Sequence, residues 1–215
     1  MKKRMIALTL ILALAVAGLV GCTNTPAADT TDPSANAGTQ GSSSAGNPTA
    51  GKTLSIALSE NLVTLDPLDA NNAPGYQPRN MCFDMLVESD HEGNNTPCRA
   101  DSGTVSEDGT EITFSLRKDV KWHDGTDFTS ADVVCTFQRL IDDPNLNIAS
   151  IYWSLLTGVE ASDDYTVTIQ LSEPYAPVMN SLSVTAIIQK AQWEAEGESA
   201  FNNQNFVGTG PWIFD

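Results

Sequence analysis

EITFSLRKDVKWHDGTDFTSADVVCTFQRLI, residues 111–141, carries three structural signals in succession. Ile112, Phe114 and Leu116 alternate with Thr113, Ser115 and Arg117. That period of two turns one face of a strand into a core and the other into water. Asp124-Gly125 then predicts a tight turn, because glycine adopts positive φ without steric cost. Thr129, followed three residues later by Asp132, predicts a helix start in which side-chain oxygens meet free backbone N–H groups. Val133, Val134, Phe137, Leu140 and Ile141 fall on one stripe of that helix. Asp143-Pro144 ends it, since proline has no N–H to continue the ladder.

Working outward, Tyr165, Val167, Ile169 and Leu171 alternate with Thr166, Thr168 and Gln170, a second half-buried strand entered through Ser162-Asp163-Asp164. A helix is predicted to run toward Leu182, followed by a short apolar strand over 183–188. On the N-terminal side, residues 53–58 (TLSIAL) read as a strand, and Asp66-Pro67 as an Asx-type turn. Residues 69–75 (DANNAPG) read as a polar loop. Met81, Cys82, Phe83, Met85, Leu86 and Val87 suggest a short helix over 76–88 with a broad apolar face. Strands and helices in this mixture make the chain α/β.

The first 51 residues are of another kind. Met1-Lys2-Lys3-Arg4 is a basic start, and residues 5–20 are apolar except for Thr9. That run is short for a spanning helix of about 20 residues and suits a signal-peptide core. Leu19-Val20-Gly21-Cys22 has the form of a lipobox, which makes residues 1–21 a leader and Cys22 the lipidated N-terminus. An ordinary signal peptide or a membrane anchor with an incidental cysteine is the plainer alternative. Residues 23–51 contain no Leu, Ile, Val, Met or aromatic residue. Such a segment cannot bury enough apolar surface to offset its ordering entropy, so residues 22–51 are expected to be a tether reaching roughly 30 Å.

The chain holds 11 basic and 27 acidic residues. Removing residues 1–21 takes away three basic residues and no acidic ones, leaving 8 against 27, a net charge of −19. Nucleic acid is excluded as a partner on that balance, since phosphate backbones are held by Lys and Arg clusters.

Three further features make the fold specific. FSLRKDVKWHDGTDFTSADVVCTFQRL, TLDP at 64–67 and VGTGPW at 207–212 together resemble the extracytoplasmic solute-binding proteins of peptide and nickel ABC importers. The resemblance covers residues 52–215. It implies a periplasmic-binding-protein-like (type II) lobe with a mixed β-sheet, incomplete because the second lobe is absent, as in a fragment or truncated product. Residues 52–83 and 189–215 would belong to the first ligand-binding lobe, and 84–188 to an inserted α/β domain. The implied role is capture of oligopeptides or dipeptides outside the membrane and delivery to permease subunits with their ATPases. Nickel or another small solute is the alternative ligand, and a non-binding surface lipoprotein the alternative role. The protein would be lipid-anchored, in the periplasmic space or on the outer face of a Gram-positive membrane. By the same resemblance Asn71, Asn72, Ala73, Pro74, Tyr152 and Trp153 become ligand-binding candidates, although composition alone calls 71–74 a surface loop and the tryptophans core. The chain departs from the family pattern at Asp84, usually Glu, and at Gly103, usually Trp.

Reactive chemistry is not legible. His91 and His123 have no ligand-spaced Cys or His beside them, so no metal site or cofactor is expected. No G-x-S-x-G, H-E-x-x-H or P-loop string occurs, and no enzyme is predicted. Asp124 and Asp127 read as turn and helix-start residues rather than an acid–base pair. Cys82, Cys98 and Cys135 allow at most one intramolecular bridge. Cys82–Cys98 is the pair that a bridge would join, with Cys135 buried and reduced.

Overall fold

The alternating segment at 111–117 becomes an inner strand, paired on both sides. The computed structural model describes residues 57, 59, 61, 63–70, 73–202 and 206–214. In chain order the elements are α1 (Ala73–Cys82), β1 (Val87–Ser89), β2 (Asn95–Pro97), β3 (Ala100–Val105), β4 (Glu111–Leu116), α2 (Ser130–Asp142), α3 (Asn147–Tyr152), β5 (Leu156–Asp163), β6 (Thr166–Leu171), α4 (Val178–Leu182), α5 (Lys190–Glu196) and α6 (Ser199–Asn202). The main sheet runs β3-β4-β6-β5, and β1 and β2 form a separate hairpin. Every ladder among the described residues is antiparallel. The strand expected over 53–58 lies outside them, as do the leader, Cys22 and the tether.

The two strands read from alternation pair with each other, Ile112 opposite Ile169 and Phe114 opposite Val167. Their apolar sides are buried together with Leu116 and Leu171. Val133, Phe137 and Leu140 of α2 belong to the same core. Burying each such side chain contributes about 1.5–3 kcal/mol. On the opposite face Thr113 and Thr168 share a hydroxyl hydrogen bond of 3.0 Å. Gly103 sits opposite Phe114 in the ladder. A Cβ there would lie 2.5 Å from the Phe114 ring, so the residue that departs from the family pattern is the one that makes room for this phenylalanine.

Helix α2 starts as its sequence predicts. The Thr129 N–H donates to Asp132 Oδ2 at 2.9 Å, and the helix ends at Asp142 before Pro144. The turn also forms: Gly125 has φ 88°, and Asp124 Oδ1 accepts from the Thr126 N–H at 2.9 Å. Asp124 and Asp127 are turn and hairpin residues, the latter paired with Lys121.

Two expected elements differ. The predicted helix over 76–88 lies instead at Ala73–Cys82, and Val87 begins β1. Ala73 and Pro74, assigned to a loop by composition, open this helix. The predicted strand over 183–188 reduces to one bridge between Ala186 and Met85. Ala186, Ile187 and Ile188 are all buried.

Long-range polar contacts join these parts. The Asp66 carboxylate accepts from the Leu68 N–H at 3.0 Å, completing the expected turn. It also receives both terminal nitrogens of Arg139 from α2, Nη1 at 2.9 Å and Nη2 closer still. The 207–212 turn lies against the end of α1: the Gly210 N–H donates to Cys82 O at 2.9 Å, and the Trp212 N–H to Met81 O at 3.1 Å. Asp84 holds Arg99 and accepts from the Thr209 hydroxyl at 2.9 Å. His123 Nδ1 accepts from the Gly208 N–H at 3.2 Å, leaving Nε2 to donate to Gly210 O at 2.8 Å.

Candidate functional site

Asn71 and Asn72 lie outside the described residues, and of Ala73 and Pro74 only their place at the start of α1 is described. Helical geometry then puts Tyr76 and Arg79, three residues apart, on one face. Arg79 is only 5% exposed. Its guanidinium carbon lies 4.5 Å from the Tyr76 ring centroid. Nε donates to Asn80 Oδ1 at 3.0 Å and Nη1 to Val184 O at 3.1 Å. Burial lowers its pKa from the ordinary arginine value, while the phenols of Tyr76 and Tyr152 act in the other direction. Tyr152, at the end of α3, is half-buried and thereby shares the electrostatic environment of Arg79.

Trp153 lies in the core. It is 4% exposed, stands edge-on to Phe137 at 4.9 Å between centroids, and its Nε1–H donates to the Thr185 hydroxyl at 2.7 Å. The indole N–H is satisfied internally and the side chain is buried. Trp212 differs from the core reading in the other sense and is 51% exposed.

Cys82 and Cys98, the pair that a bridge would join, are free thiols, as is Cys135. Cys82 is in the hydrophobic core at the end of α1, whereas the Cys98 thiol faces carboxylates. Burial, then the Glu88 and Asp84 carboxylates, push the Cys98 thiol up to about 11. Burial with Asp132 and Glu194 does the same for Cys135, which is half-buried.

Asp84, Glu88 and Cys98 place ligand-type atoms within 4.8 Å of one another. Asp84 is already committed to Arg99 and Thr209, and the thiol is held in its neutral form. The largest described cavity, about 990 Å³, lies between α2, β5 and α5 and is lined by Val134, Cys135, Asp163 and Trp193 among others. None of the expected ligand residues is among those that line it.

The antiparallel sheet, its covering helix and the returning 207–212 turn define a piece of a periplasmic-binding-protein-like fold. Residues 95–215 match the family model for bacterial extracellular solute-binding proteins, family 5 (middle), and the chain belongs to that family. It is 36% identical over 170 residues to the glutathione-binding protein GsiB of Escherichia coli strain K12, covering 77% of this chain and 32% of that protein. Among solved structures, NikZ from Campylobacter jejuni in complex with Ni(L-His) is 29% identical with a TM-score of 0.63, over 73% of this chain and 31% of that one. DppA from Helicobacter pylori in complex with the peptide STSA is 25% identical with a TM-score of 0.61, over 71% and 34%. The chain thus spans about a third of the length of the curated relatives it matches.

Arg79 is a buried arginine that the sequence alone did not single out. Its only signal was its type: a lone arginine among apolar and amide residues in a strongly acidic chain.

Proposed function

We propose that this chain belongs to the substrate-binding component of an ABC importer, which captures small peptides outside the membrane. Family membership over 95–215 is the observation that carries the reading. The glutathione-binding and peptide-bound relatives favour a peptide as the solute. Residues 52–83 and 189–215 contribute to the first lobe, a division supported by the hydrogen bonds from Gly210 and Trp212 to the end of α1. Residues 84–188 form the inserted domain. Asn71, Asn72, Ala73, Pro74 and Tyr152 line the ligand side. Cys22 carries the lipid that anchors the protein to the membrane beside its permease and ATPase partners. Action is by ligand-driven population shift, with no covalent step.

A nickel chelate is the second reading, favoured by the 29% identical NikZ in complex with Ni(L-His). Titration of the ¹⁵N-labelled chain with reduced glutathione, Ala-Ala, and nickel with L-histidine separates the two. Peptide binding is expected in the millimolar range, about −4 kcal/mol. A response to nickel with histidine alone selects the second reading. Silence toward all three leaves a surface lipoprotein without solute binding.

A further inference from the structure

Three of the four described arginines meet an aspartate: Arg99 with Asp84, Arg117 with Asp119 and Arg139 with Asp66. Arg79 does not, although it is as buried as Arg139. Its described hydrogen bonds go to an amide oxygen and a backbone carbonyl, both neutral. In a chain with 27 acidic residues, a buried cation held by dipoles alone is an unusual arrangement. A buried charge is costly unless paired, and a guanidinium presents five N–H donors in a fork that matches a carboxylate.

What surrounds Arg79 is suited to a ligand. Tyr76 and Tyr152 are half-buried and Asn80 is exposed, so the residues about the guanidinium reach the surface. The Tyr76 ring covers one face of its plane. The ring restrains the fork without neutralising it. Helix α1 also begins next to the segment 71–74, and α3 ends at Tyr152, the two stretches expected to face the solute.

We infer that Arg79, framed by Tyr76, Tyr152 and Asn80, is a subsite for a carboxylate group of the bound solute, which for a peptide means its α-carboxylate. This rests on the peptide-binding reading above. The incoming carboxylate supplies the anion that none of the described residues provides, and side chains at the rim of the subsite yield to admit it.

The test uses the full chain, labelled with ¹⁵N, and follows the Arg79 Nε–Hε resonance, assigned by its loss in Arg79→Met. Ala-Ala and Ala-Ala amide are titrated at matched ionic strength. Ala-Ala is expected to move that resonance at millimolar concentration, and the amide to bind at least tenfold more weakly. Arg79→Met is expected to lose at least tenfold in Ala-Ala affinity, and Arg79→Lys to recover part of it. The resonance is also assigned in the wild-type chain by through-bond correlation to the Arg79 backbone, so the test stands if Arg79→Met fails to fold. Should Ala-Ala move other resonances but not that of Arg79, or should the amide bind equally well, the subsite is overturned and peptide binding survives. No response to either probe overturns both.

Discussion

Arg139 and Arg79 are 6% and 5% exposed, yet they are buried in opposite ways. Arg139 forms a two-pronged pair with Asp66 and lies 4.1 Å from the Trp193 ring centroid. Arg79 lies over a ring as well, but its hydrogen-bond acceptors are carbonyl groups. Removing an ion from water costs several kcal/mol even after relaxation. At Arg139 the opposite charge offsets that cost and ties the 64–70 segment to α2. At Arg79 neutral dipoles offset only part of it, and the remainder is available to an anion that arrives from outside. One arginine is a structural tie and the other a receptor for charge, and the distinguishing feature is the partner.

Breaking the compensated pair should have the largest effect. Asp66→Ala leaves Arg139 buried and bare, and urea denaturation is expected to show a loss of about 3–5 kcal/mol. A loss below 1 kcal/mol would mean that Arg139 reaches solvent easily and that the contrast with Arg79 is false. The double variant Asp66→Leu with Arg139→Met removes both charges, and is expected to recover most of that loss, ending within about 2 kcal/mol of the parent.

Gly208→Ala asks whether the tie between α1 and the 207–212 turn is as rigid as the Asp66–Arg139 tie. A Cβ at Gly208 would lie 1.7 Å from Cys82 O. The backbone must shift, at a cost of about 1–3 kcal/mol, read as a lower thermal midpoint.

Arg79→Met should be much milder than any single break of the Asp66–Arg139 pair, within about 1 kcal/mol of the parent. It forfeits two hydrogen bonds of about 0.5–1.5 kcal/mol each but also relieves an unpaired buried charge. A loss comparable to that of Asp66→Ala would make Arg79 a structural residue.

The smallest effect concerns Asp132, the acidic counterpart of Arg79. It is buried, and its carboxylate is held by neutral donors: the Lys190 N–H at 2.9 Å, the Thr129 N–H at 2.9 Å and Trp122 Nε1 at 3.1 Å. Burial raises its pKa, and the hydrogen bonds only partly oppose this. A raised folded value means that the native state holds the proton more tightly than the unfolded chain. The resulting stability is fully present below the unfolded value near 4 and is lost as pH rises through the folded value. Compared with Asp132→Asn, the parent should therefore be relatively more stable at pH 4 than at pH 7, by about 1 kcal/mol or less. Urea midpoints of both proteins across that range check the sign.

Legibility followed the range of the forces involved. Strand β4, the Gly125 turn and helix α2 could be read directly, because alternation, φ > 0 and an N-cap act within a few residues. The helix near residue 76 was displaced. The apolar residues Met81 to Val87 suggested a helix over 76–88, whereas the helix begins at Ala73, carries Pro78 inside it and ends at Cys82. The Met85–Val87 run is apolar for a different reason: Met85 bridges Ala186 and Val87 opens β1. Residues 186–188 gave a strand-like signal because they are buried, without pairing along their length. Trp153 could be read as ligand platform or core until Phe137 and Thr185 were seen to enclose it.

By itself the sequence determined the α/β class, the family and the principal strand–turn–helix unit, since each is written in local periodicity or in a long ungapped motif. Only the tertiary structure decided which charges are paired. Asp66 and Arg139 are 73 residues apart, and Arg79 reaches Val184 across 105. No spacing rule foretells such meetings. A buried charge takes its meaning from what lies within a few ångströms of it, and that neighbourhood exists only once the chain has folded.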